Sequence, residues 1–88
     1  MSKVKAFGIS GVLLWFPSND HNPPHFHAKR SGEWEYRIFF LLNGDAMFEE
    51  KWTRSKKGIT KLDKLRIEAM VNEHRAALLL EWESIHEN

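Results

Sequence analysis

The stretch "HFHAKRSGEWEYRIFFLL", residues 25–42, carries the strongest periodic signal in the chain. Trp34, Tyr36, Ile38 and Phe40 alternate with Glu33, Glu35 and Arg37. A period of two is that of a strand with one apolar and one polar face. Residues 25–30 read as a second strand, with Phe26 and Ala28 on one face and His25, His27 and Lys29 on the other. Two registers compete across the connection. A two-residue turn at Ser31-Gly32 pairs His27 with Tyr36 and Phe26 with Arg37. A three-residue loop, Arg30-Ser31-Gly32, pairs Phe26 with Tyr36 and Ala28 with Trp34, and sets His27 opposite Glu35 and His25 opposite Arg37. A one-residue slip exchanges the faces of a strand, so the apolar pattern selects the three-residue loop, with Gly32 in the left-handed conformation.

Working outward, residues 3–9, "KVKAFGI", read as a first strand closed by a turn at Ser10-Gly11. The run "VLLWF", residues 12–16, is too short for a helix and reads as a strand buried on both faces; Pro17 and "SND" end it. "NGD" at 43–45 signals a hairpin turn, "AMFEEKW" at 46–52 a further strand, and "TRSKKG" a polar loop. From Thr60 the spacing becomes helical. Thr60 and Asp63 form a capping pair, followed by Leu62, Leu65, Ile67, Ala69, Met70 or Val71, His74, Leu78, Trp82 and Ile85 at intervals of three and four. An unbroken helix over 61–86 would be about 39 Å long, and a break near Glu73–Ala76 would divide it in two. The expectation is one α+β domain over residues 1–88. An antiparallel sheet of four to five strands (residues 3–52) is packed by one or two C-terminal helices (residues 61–86).

Composition narrows the function. A chain of 88 residues builds one modest core, so chemistry would sit in a surface cleft or at an interface. There is no cysteine, which removes disulfides, zinc-thiolate sites and Cys nucleophiles and suits a reducing cytosol. "MSKVKAFGIS" has no signal-peptide pattern, and no apolar run approaches membrane-spanning length. The expected location is cytoplasmic. The formal net charge of +1 supplies no general attraction to nucleic acid. A local basic stretch does exist: Lys51, Arg54, Lys56, Lys57, Lys61 and Lys64 stand against Asp63, and read as a solvated loop and helix start.

"DHNPPHFHAKR", residues 20–30, holds the candidate chemistry. His25 and His27, at i and i+2 on a strand, point the same way. His21 precedes them in a loop restricted by Pro23 and Pro24. With Glu35 across the hairpin, His21, His25 and His27 compose a donor set that suits a divalent transition metal such as Zn, Fe, Ni or Mn. His25 and His27 equally suit a cofactor-free acid and base, for example in RNA cleavage by 2′-hydroxyl attack, with Lys29 or Arg37 contacting an anion or a partner. The bland alternative is a polar strand face with a His27–Glu35 pair. His74, in the helical stripe, reads as a boundary histidine at the helix–sheet interface, and His86 as solvated. Trp34, Tyr36 and Phe40 could form a base-stacking platform, but their alternation favours the core, as do the positions of Trp15, Trp52 and Trp82. The motif H-x3-H-x-H is not a zinc motif of established spacing.

These residues resemble a known family. "WFPSNDHNPPHFHAKRSGEWEYRI" is similar to the N-terminal hallmark of the domain-of-unknown-function 4160 family, small prokaryotic proteins with an "HNPPHxH" motif. "LDKLRIEAMVNEHRAALLLEWE" is similar to their C-terminal pattern. The matching positions are Asp20, His21, Asn22, Pro23, Pro24, His25 and His27, with His74 and Trp82 matched more loosely. Asp20 and Ala28 stand where Glu and Val are usual, and the stretch around "EEKWTRSKKGIT" departs from the pattern. The resemblance implies a small α+β domain. It also implies a small protein partner, since members are often encoded beside another small protein, and a toxin–antitoxin-like setting. It assigns no role to any of the matched residues.

Overall fold

The computed structural model describes residues 2–19 and 23–86. Five antiparallel strands form a meander in sequence order: β1 (Ser2–Lys3), β2 (Leu13–Phe16), β3 (Phe26–Arg30), β4 (Trp34–Ile38) and β5 (Phe48–Thr53). A short 3-10 helix, Gly44–Met47, precedes β5, and the C-terminal helix α1 (Lys61–His86) covers one face of the sheet. The chain is an α+β fold.

The alternation read from Glu33 onward holds. Trp34, Tyr36, Ile38 and Phe40 are buried, and Phe26, Ala28, Leu14 and Phe16 join them under α1. From α1 come Ile67, Val71, Leu78 and Trp82, at helical spacing. Burying each large apolar side chain contributes about 1.5–3 kcal/mol, so this one layer supplies most of the driving force. Phe16, Phe26 and Phe40 meet at centroid separations of 6.2 to 6.4 Å, within the range of favourable aromatic packing.

Several expected boundaries shift. The β3–β4 register is displaced by two residues from the one expected: Arg30 pairs with Trp34, Ala28 with Tyr36, His27 with Arg37 and Phe26 with Ile38. An even displacement preserves the faces, so the core is as expected while the cross-strand partners are not. The cause is Arg30. It stays in the strand and donates to Asp63 from Nε (3.0 Å) and Nη2 (2.8 Å). The turn is therefore Ser31-Gly32-Glu33, closed by Glu33 N–H to the Arg30 carbonyl, with Gly32 at φ +78°. That conformation is one only glycine adopts readily.

Residues 3–9 are not one strand. After Lys3 the backbone leaves the ladder, because the amides of Lys5 and Ala6 donate to the Glu81 carboxylate at 2.7 and 2.8 Å. Phe7 is then driven into the core against Phe26 and His74. Nor is "VLLWF" buried on both faces: Leu13 is exposed and Trp15 half-buried. β4 ends at Ile38, and the "NGD" turn is absorbed into the 3-10 helix, whose Met47 is buried.

Helix α1 bends where a break was expected. His74 leaves helical geometry (φ −115°, ψ 17°) and stacks on Phe7 at 5.6 Å. Next to it, Arg75 Nε donates to the Phe40 carbonyl at 2.7 Å. The Thr60–Asp63 cap forms, with Asp63 N–H donating to Thr60 Oγ1 at 3.2 Å. Leu62 and Leu65 are exposed rather than part of the buried stripe, because it is Asp63 that turns inward to meet Arg30. Gly11 adjoins that pair: a Cβ there would lie 2.6 Å from Arg30 Nη1, at φ +76°.

Candidate functional site

The face of the sheet away from α1 carries the candidate residues. Register places Lys3, Trp15, His27, Arg37 and Glu49 in one row across all five strands. Leu13, Lys29, Glu35 and Trp52 make the neighbouring row. His27 is central and, despite lying on the face that no helix covers, it is buried. Trp15 stacks on its ring at 5.1 Å with an interplanar angle of 18°. His25 lies beside it at a centroid distance of 5.4 Å.

His25 precedes β3 and is also buried. Its Nδ1 lies 3.0 Å from the Pro23 carbonyl oxygen. A carbonyl can only accept, so Nδ1 carries the proton. Phe39 and Trp82 flank the ring at 5.3 and 5.5 Å. The histidine pair expected to be exposed is therefore a buried, aromatic-walled one. Aromatic residues from β2, from the segment after β4 and from α1 close over it.

Glu35 is not opposite His27, which faces Arg37, but it reaches His27 on the diagonal: Glu35 Oε2 lies 3.6 Å from His27 Nδ1. The same oxygen lies 3.4 Å from Lys51 Nζ. Burial lowers the His27 pKa below the ordinary 6.5; the charges of His25 and Lys51 push the same way, against the opposing pull of Glu35. Burial thus favours the neutral form of the His27 imidazole. Arg37 is held by Glu49 on β5, and Lys29 stands half-buried between Leu13 and Glu35.

The structure thus brings together His25, His27 and Glu35, with Arg37 and Lys29 in the adjoining positions. His21, with Asp20 and Asn22, lies outside the described residues. Among the described residues, no group of three or more His, Asp or Glu side chains is placed to hold a metal ion. His74 is the expected boundary histidine. His86 is not simply solvated: it stacks on Trp82 at 3.7 Å. Trp52 is exposed rather than core. Trp15, Phe39, Trp82 and Lys51 were not expected at the site. Trp15 and Trp82 each had a signal in the sequence, as members of the N-terminal and C-terminal patterns, and Lys51 as part of the basic stretch. Trp15 would have emerged from pairing residues 12–16 with 25–30.

The geometry coincides with a family match. A model described as domain of unknown function (DUF4160) matches residues 11–83, from the turn before β2 to the last turns of α1. The chain belongs to the DUF4160 family. The match spans both halves of the site, since the DUF4160 region holds the histidine motif and the Trp82 that walls it. No curated protein and no solved structure matches the chain. Among the described residues of this DUF4160 protein, no helix is long and apolar enough to cross a membrane.

Proposed function

We propose that this domain is a small cytoplasmic partner-binding module, one component of a toxin–antitoxin-like pair, and that it meets its partner with the uncovered face of its sheet. The observation that carries this reading is apolar surface on that face. Leu13 is 61% exposed and Trp52 48% exposed, with Trp15 half-buried beside them and Lys29, Arg37 and Lys51 interspersed. Large apolar groups among charges are the composition of a protein contact. The test is co-expression with the products of the neighbouring genes. Association of the native chain, lost in the Leu13→Asp/Trp52→Glu double variant with an unchanged circular dichroism spectrum, is the expected result. Absence of association, or association indifferent to both substitutions, would sink the reading.

The metal-dependent version of this function requires His21 to join His25, His27 and Glu35 on one divalent ion. Titration of untagged protein with Zn(II) or Ni(II) should then move all three imidazole NMR signals.

A second reading rests on the contact between two imidazoles. His27, its neutral form favoured by burial, is the base, and His25 is the acid, in cleavage of an RNA phosphodiester. Growth arrest on expression, relieved by His25→Ala or His27→Ala in folded protein, is its expected result. An unaffected host argues against it.

A further inference from the structure

The departure of the chain from the sheet after Lys3 leaves a gap. β1 pairs with β2 only at Phe16 and Trp15, and one further backbone bond, Val4 N–H to the Leu14 carbonyl, ends the contact. The chain returns at the Ile9–Val12 bridge. Between these two points lies a cavity of about 560 Å³. Its floor is buried: Val4, Phe7 and Leu14 belong to the core. Ile9, Val12 and Trp15 form apolar walls, and Gly8 leaves the rim open, since a Cβ there would meet nothing within 4 Å.

The charges at this cavity are of one prevailing sign. Lys3 and Lys29 line it, and neither forms an ion pair among the described residues. Glu35 lines it too, but its carboxylate already engages Lys51. With Glu35 offset by Lys51, the two ammonium groups leave the lining positively charged. An apolar cleft of several hundred Å³ with a few placed polar groups is the usual form of a small-molecule site. The positive lining selects an anion, and the carboxylate on the wall disfavours a second negative charge.

We propose that this cavity binds a small monocarboxylate with an apolar tail, the tail against Val4, Ile9, Val12 and Trp15 and the carboxylate between Lys3 and Lys29. The site shares Trp15 and Leu13 with the partner-binding face but does not depend on that reading. It takes a free small molecule and is tested without any protein partner.

Titration of the full chain with octanoate, with octanol and with octylammonium, followed by amide ¹H–¹⁵N NMR, tests it. Octanoate should give saturable shifts at Val4, Gly8, Ile9 and Val12. Octanol should bind about tenfold more weakly and octylammonium more weakly still, the loss of one charge-assisted contact being of that order. The Lys3→Gln/Lys29→Gln variant should lose the preference for octanoate over octanol; both side chains reach solvent, and its amide spectrum reports whether the fold is kept. No saturable shift at these amides, or equal binding of octanoate and octanol by the native chain, overturns the proposal, and the second outcome needs no variant.

Discussion

The two faces of the sheet are made from alternate residues of the same strands, yet they differ in how each residue is held. Under α1, Phe26 and Ile38 are fully buried among other apolar groups. On the uncovered face, Leu13 and Trp52 are exposed, while His27 is buried under the Trp15 ring and beside His25. One face is closed by a second layer. The other closes over a single residue through a tryptophan lying flat upon it. The first arrangement stores stability, and the second leaves apolar side chains in contact with solvent.

The largest test of this contrast compares Phe26→Ala with Leu13→Ala in urea unfolding. The first should cost about 3–5 kcal/mol, a large share of the stability of so small a domain. The second should fall within about 0.5 kcal/mol. Similar losses at both positions would mean that the faces do not differ as described.

Next in size is the ion pair that ties α1 to the sheet. Asp63→Ala leaves Arg30 facing the core margin without its partner and should cost about 3 kcal/mol. Burial alone would raise the Asp63 carboxyl. The hydrogen bonds and charge of Arg30, aided by Thr60 and Trp34, outweigh it and hold the pKa below the ordinary 3.8. A carboxyl depressed in the folded state stabilises the fold above its unfolded value, and that stability is lost as pH falls through the folded one. Thermal melts between pH 5 and pH 2, at roughly unit steps, should therefore show a decline that Asp63→Asn reduces.

A smaller dependence at higher pH should trace to the other face. Burial holds the His27 pKa below 6.5 in the folded chain. A folded chain that disfavours the imidazolium loses stability as pH falls from the unfolded value through the folded one. His27→Gln should flatten the melting temperature just below pH 6.5; an unchanged slope would assign it elsewhere.

The smallest effects adjust His27 without unfolding anything. Glu35→Gln removes the group that raises its pKa, and Lys51→Met removes one that lowers it. NMR titration should move the His27 midpoint down in the first variant and up in the second. Movement in the same direction would contradict the arrangement of the three residues.

Much of the architecture was legible in the strand from Glu33 and in the helix spacing after Thr60. Period two and period 3.6 report directly which side chains must leave water. The bend at His74 was legible too, from a helix too long for its domain. The histidine site was legible in membership only. His25, His27 and Glu35 were named, but as an exposed pair facing a carboxylate in register, rather than a buried pair reached by it on the diagonal.

Sequence by itself determined the parity of β3 and β4, and with it which of their residues share a face, because side chains alternate wherever the chain is extended. Tertiary structure alone decided the register, the end of β1 and the burial of the imidazoles. Each depends on a contact between distant residues: Arg30 with Asp63, Glu81 with the amides of Lys5 and Ala6, and Trp82 with His25. Local pattern carries no record of such partners. A displacement of two residues satisfies the same alternation, and only the closing of an ion pair 33 positions along the chain distinguishes one register from the other.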